Sequence, residues 1–401
     1  MSAPAGKFTS FRSVPAGVWA LGFTSLLMDL SSELVHSLLP IYMVTVLGAS
    51  MVTIGIVEGI AEATASILKV FSGALSDFLG RRKLLAVVGY GLSALTKPLF
   101  PLASSIELVF GARFIDRIGK GIRGAPRDAL VADITPAPLR GAAYGLRQAL
   151  DSVGALLGPV AAIALMALYA GDLRAVLWIA VLPAALAVVT LMIAVKEPEH
   201  ERTRARTPIR LADLRGLRAR YWMIVALGAV LTLARFSEAF LVLRAQDLGL
   251  AIAWVPAVMI AMNFVYAGAA YPAGIAADRG GRPALLVWGL LALIAADIIL
   301  ATATSALQVF AGAALWGLHM ALTQGLLATL VADTAPPELR GTAFGLFNLV
   351  TGVFLLFASV LAGALWSGLG AAATFYAGAV FTAVALVGLA LFRPRANAVQ
   401  P

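Results

Sequence analysis

The sequence predicts an all-α integral membrane protein with twelve transmembrane helices in two pseudo-symmetric six-helix bundles, and three observations carry that prediction. Of 401 residues, 61% are hydrophobic and only 13% are charged, with a mean hydropathy of +0.92, whereas water-soluble domains are roughly 25% charged. Apolar runs follow one another along the whole chain, and a span with its loop every ~33 residues makes about twelve spans of ~20 residues. The second half also repeats the first. LVADITPAPLRGAAYGL (130–146) returns as LVADTAPPELRGTAFGL (330–346), and GALSDFLGRR (73–82) returns more loosely as GIAADRGGRP (274–283). Continuous runs and a low aromatic share of 8% favour helices over barrel strands, which would alternate in ~10-residue segments.

Apolar runs bounded by turn and charge signals place the spans in order. The first six fall at 16–45, 51–75, 84–103, 106–131, 140–168 and 173–195. The last six fall at 220–247, 252–276, 283–303, 306–332, 341–368 and 371–392. The leading segment MSAPAGKFTSFRSVPAG has no cleavable-signal pattern, because the apolar run after it continues past any plausible cleavage point. The one long polar stretch reads as a linker, so the expected organisation is a bundle at 1–195, a linker at 196–219 and a bundle at 220–401.

Basic residues orient the chain. Lys7, Arg12, Arg81, Arg82, Lys83, Arg140 and the linker arginines lie on the side of the N-terminus, whereas the opposite loops hold only Arg174 and Arg244. The positive-inside rule then puts both termini in the cytoplasm, with a bacterial inner membrane as the expected location. The net charge of +9 is spent in those short loops, so no nucleic-acid partner is expected. With no cysteine, disulfide and zinc–thiolate chemistry is excluded. GKGIRG (119–124) formally fits G-x-G-x-x-G, but no strand precedes it and it lies inside a span. Its glycines read as close helix packing. No phosphate-binding loop or paired-histidine metal motif occurs, so neither an enzyme nor a cofactor is expected.

Ionisable residues inside the spans are the most informative feature. Away from their ends, the first six spans contain seven acids (Asp29, Glu33, Glu58, Glu62, Asp116, Asp128, Asp151) and eight bases (Lys69, Lys97, Arg113, Arg117, Lys120, Arg123, Arg127, Arg147). Away from their ends, the last six contain only Arg235, Glu238 and Asp297. Left unpaired at the midplane, these charges would cost on the order of 50 kcal/mol, far beyond a protein's ~5–15 kcal/mol of stability. They must be paired, hydrated or near an interface. Helical spacing puts Asp29, Glu33 and His36 on one stripe, Glu58 with Glu62 on another, and Arg147 with Asp151 on a third. Arg113, Arg117, Lys120 and Arg127 form a basic stripe. Helical rise brings Asp29, Glu58 and Arg113 to one layer, ~10 Å below the outer surface.

Twelve spans, two related halves, a basic central loop and the G-x-L-S-D-x-x-G-R-R segment resemble the major facilitator superfamily along nearly the whole chain. Asp77 and Arg81 match that family's loop signature, and Asp278 with Arg282 match its weaker second copy. ARFIDRIGKG (112–121) resembles the fourth-helix motif with its buried arginine at Arg113, departing from it at Asp116 and Arg117. VGALLGPVAA (153–162) resembles the fifth-helix motif associated with antiporters, with valine and alanine replacing its usual later glycines. The resemblance implies that Asp77, Arg81, Arg82, Asp278 and Arg282 serve gating. Asp133 with Arg140, and Asp333 with Arg340, flank the turns after the fourth and tenth spans as braces or latches.

The expected function is proton-coupled export of a small molecule by a monomeric secondary transporter in the bilayer. Asp29 and Glu33, opposite Arg113, are the first candidates for coupling, followed by Glu58, Glu62, Arg147 and Asp151. A structural salt-bridge network is the competing reading of the same residues. In the second half, Phe236, Phe240, Asn263, Tyr266, Trp316, His319 and Gln324 are expected around the substrate. Two other transport readings stay open: uptake of an anionic metabolite, suggested by the basic stripe, and expulsion of a divalent metal bound by Asp29, Glu33, His36 and Glu58. A non-transporting receptor or scaffold is the alternative from another class.

Overall fold

The structure, a computed structural model, describes residues 14–197, 217–277, 282–336 and 339–391. The helices of the first half are α1 (Ala16–Thr45), α2 (Met51–Leu79), α3 (Arg82–Leu102), α4 (Ile106–Asp133), α5 (Arg140–Leu168) and α6 (Leu173–Ala194). Those of the second are α7 (Ala219–Asp247), α8 (Ile252–Ala276), α9 (Arg282–Thr302), α10 (Ala306–Thr334), α11 (Arg340–Leu369) and α12 (Ala371–Leu391). Eleven have the length and hydropathy to cross a bilayer. The twelfth, α4, is 28 residues long and is set apart by its many charged residues, basic and acidic. Four spans are interrupted: α3 at Lys97–Pro98, α6 at Ala180, α7 between Ala234 and Ala239, and α8 at Val255–Pro256.

The internal repeat reaches down to helix ends. Ser105 caps α4 by accepting from the Leu108 N–H, and Ser305 caps α10 in a capping box with Gln308. The two arginines outside the basic loops also act on helix ends. Arg174 donates to the Ala103 carbonyl after α3, and Arg244 to those of Leu300 and Ala303 after α9. Both supply cations where orphan carbonyls and the macrodipole favour them.

Within the first half α1 packs on α5, and α4 on α2 and α3; within the second, α10 packs on α8 and α9, and α9 on α12. Gly158 is needed for the first of these contacts, since a Cβ there would come within 2.6 Å of the Glu33 Cβ. Gly119, from the GKGIRG segment, similarly lies against Gly89 and Ser93 of α3.

The two halves join through α2 with α11, α5 with α8, and α1 with the last turns of α7. An even number of crossings puts the start of α1 and the end of α12 on one face, the terminal side; the other face is the distal side. Distally one apolar core crosses both halves, from Leu38, Tyr42 and Val57 to Phe240, Leu241, Met259 and Phe375. On the terminal side the cores are separate. Val18, Leu21, Tyr90 and Leu191 pack within the first half, and Tyr221, Ile224, Val331 and Ala343 within the second. Among the described residues, the apolar cores of the halves are therefore fused distally and separate towards the terminal side.

Candidate transport site

The charges of the first half form two networks. The first is a chain of alternating sign across α1, α2 and α4. Glu33 lies 3.5 Å from His36, and His36 lies 3.6 Å from Glu58. Glu58 accepts from Arg113 at 2.7 Å; Glu62 stands 3.9 Å from Arg113 and 3.0 Å from Arg117. Helical spacing builds it, because residues three or four apart share a face. Its centre is dry, with Glu58 and Arg113 at 0% and 1% exposure, while Glu33 and Glu62 keep one side open. A buried pair of this kind holds only while both partners stay, since removing one strands a desolvated charge.

The second network joins α1, α4 and α5. Asp29 lies within hydrogen-bonding reach of Asp151. Asp151 is 3.5 Å from both Arg127 and Arg147, and Asp128 closes the set at 3.1 Å and 3.8 Å from those same arginines. Two carboxyl groups in contact are stable when they share one proton, because like charges at that separation repel strongly. Asp29 and Asp151 border a crevice of about 320 Å³ whose far wall is Asn263 and Tyr266 of α8. Other charges brace α3 on α4: Lys97 bonds Asp116 at 3.0 Å, and Arg123 sits 4.7 Å over the Tyr90 ring.

The second half meets these networks with a broken helix. Arg235, Phe236 and Ser237 leave helical geometry inside α7. The freed Ser237 N–H donates to Ser359 Oγ of α11, and Ser237 Oγ accepts from the Ala239 N–H to restart the helix. The break turns Arg235 and Glu238 towards a cavity of about 350 Å³ between the halves, opposite Glu33, His36, Glu62 and Lys120. Glu238 is within electrostatic reach of His36, Glu33 and Glu62. Lys120 projects from α4 with no ion pair to a described residue, within reach of Asp29, Glu33, Glu62 and Asp151. It stands between the two networks. The Phe236 ring packs at a tilt on Trp316 and edge-to-face on Phe375, with centroids 5.4 Å and 5.6 Å apart, and this aromatic cluster floors the cavity on its distal side.

The family model described as Major Facilitator Superfamily matches residues 21–263 and 233–401. The chain belongs to the major facilitator superfamily. It is 32% identical to an uncharacterized MFS-type transporter of Methanocaldococcus jannaschii, over 88% of this chain and 89% of that one. It is 25% identical to the multidrug resistance protein MdtH of Edwardsiella ictaluri, over 83% and 82% of the two chains. Among solved structures, a POT family transporter in complex with 5-aminolevulinic acid is similar with a TM-score of 0.78 at 12% identity, covering 96% of this chain and 99% of that one. The nucleoside transporter NupG has a TM-score of 0.72 at 15% identity, covering 94% and 99%. The likeness to these structures is one of fold. The protein is thus a multi-pass membrane transporter of this superfamily and not an enzyme.

The geometry of this MFS member corrects several expectations. Arg113 faces Glu58 and Glu62 rather than Asp29 or Glu33, because α4 packs on α2 while α1 packs on α5. Asp29 accordingly turns to Asp151, which spreads the four residues expected around a metal over two networks; among the described residues no metal-type cluster occurs. Asp133 pairs with Arg82 across the α4 and α3 ends, leaving Arg140 exposed at the start of α5. His319 is buried against the Gly289 carbonyl at 2.8 Å and does not line the cavity. Phe240 is buried in the aromatic cluster, away from the cavity wall. Arg81 is exposed just before α3; Asp278 and the side chains of Asp77, Arg282, Asp333, Arg340 and Gln324 lie outside the described residues. Two cavity residues, Arg235 and Glu238, were noted in the sequence as charges inside a span but were not named as site candidates. Their signal was a charged pair three residues apart in the middle of an apolar span, which contains neither proline nor glycine at the break.

Proposed function

We propose that the protein is a proton-coupled exporter of a small polar organic molecule, working by alternating access in a bacterial inner membrane with both termini in the cytoplasm. The observation that carries this reading is the cavity between the halves, walled by charges of both and floored on one side only. Under the positive-inside assignment, the terminal side is cytoplasmic and this conformation is the one that loads substrate for export. Rocking would then close the terminal side and open the distal one.

The Asp29–Asp151 pair is the proposed proton carrier. Its crevice has α8 of the other half as one wall, so rocking changes its hydration and with it the cost of an ionised pair. Lys120, facing both networks, is placed to exchange partners as protons come and go. Export is supported by the multidrug resistance name of one relative and by the Gly158–Pro159 segment of α5. Counterflow in proteoliposomes, with and without a pH gradient, tests the reading. It fails if Asp29→Asn carries substrate at the wild-type rate with unchanged pH dependence.

Uptake of an anionic metabolite is the second reading, supported by Lys120, Arg117 and Arg235 on the cavity wall. Direction of flux in oriented vesicles separates the two. Binding without any translocation in those vesicles would instead indicate a receptor.

A further inference from the structure

A second apolar cavity, separate from the transport site, lies in the terminal half of the second bundle. It is a groove of about 560 Å³ between α7, α9, α10 and α12, walled by such residues as Leu227, Val230, Leu286, Leu330 and Leu389. One charged side chain lines it, Arg220. Arg220 and its neighbour Arg218 are both exposed, and neither side chain makes a hydrogen bond or ion pair with a described residue. Beside them Trp222 is 41% exposed, the placement tryptophan takes at headgroup level. The groove follows α7 from Arg220 to Val230, a helical rise of ~15 Å. That is the depth of one leaflet of a ~30 Å hydrocarbon core.

We propose that this groove binds an anionic phospholipid, with one acyl chain between α7 and α12 and the phosphate on Arg220, seconded by Arg218. The charge pattern selects the ligand. The interior offers nothing polar to a soluble metabolite, and the mouth offers an anionic headgroup two cations with no ion-pair partner among the described residues. Basic mouths of this kind between membrane helices favour anionic lipids. Because the groove flanks the terminal piece of α7, whose broken end carries Arg235 and Glu238, an occupied groove props that piece from behind.

The test uses the purified full-length protein in detergent, with dioleoyl-phosphatidylglycerol or dioleoyl-phosphatidylcholine added as the only lipid. Retained lipid is counted by native mass spectrometry. The wild type is expected to retain phosphatidylglycerol about fivefold better for each arginine engaged, and the preference falls with salt. Arg220→Gln is expected to bring the preference towards one while still retaining lipid. Gly388→Leu fills the groove from α12, where a side chain meets open space, and is expected to lose both lipids at an unchanged melting temperature. Equal retention of the two lipids by the wild type would overturn the proposal, as would a preference that survives both substitutions. Displacement of the lipid by inorganic phosphate alone would overturn it too, since the site would then recognise a free anion.

Discussion

The two halves of the molecule share one architecture and differ in what fills it. Ser105 and Ser305 cap corresponding helices, Arg174 and Arg244 close the ends of α3 and α9, and the motif after α4 recurs after α10. Yet the first half is laced with paired charges, whereas the second carries Arg235 and Glu238 at the break in α7 and a solitary Asp297. Capping, apolar periodicity and small residues at helix contacts therefore suffice to build the bundle. The charges are an addition to one copy of it. On the proposed reading the first half handles protons and the second supplies the opposing wall.

The sharpest way to break this comparison is to unbalance the charged half. Arg113→Met leaves Glu58 in a dry site without its cation and is expected to cost about 3–5 kcal/mol, read as a fall in melting temperature. Adding Glu58→Leu to it should restore most of the loss, because an apolar pair tolerates the same site. Unchanged stability of Arg113→Met would mean that the ion chain does not hold the first half together.

Next in size is Asp151→Asn, expected to reduce pH-gradient-driven flux to background while the protein remains folded and inserted. Flux at the wild-type level in both this variant and Asp29→Asn would remove the proton-handling role from the first half. Glu238→Gln is expected to act more mildly, lowering the rate several-fold and flattening its pH profile, because it leaves the Asp29–Asp151 pair intact. The smallest effect is reserved for Asp297. It is fully buried between α9 and α12, beside Gly378, and neither carboxyl oxygen has a hydrogen-bond partner among the described residues. Asp297→Leu should therefore raise stability by about 1 kcal/mol and leave transport unchanged; a loss of transport would place a working acid in the second half as well.

Helix number, order and sequence boundaries were legible because membrane burial imposes long apolar runs, and α4 was legible despite its charges because its neighbours bracket it. Same-face relations within one helix were legible for the same reason: Glu58 with Glu62 and Arg147 with Asp151 follow from helical spacing alone. Partners across helices were not. Arg113 has carboxylates at its own depth on both α1 and α2, and depth cannot say which helix packs beside it. The break in α7 was hidden as well, since it is held by Ser237 and Ser359, residues 122 apart, and by no local breaker.

The fused distal core has a thermal consequence. On the proposed alternating-access reading, opening that face wets the cluster from Leu38 to Phe375, and hydrating hydrocarbon raises heat capacity. The equilibrium between the two faces is then strongly temperature-dependent. Cooling weakens the attraction that seals the distal face, so a spin-label pair placed across that seal should drift apart as the membrane is chilled.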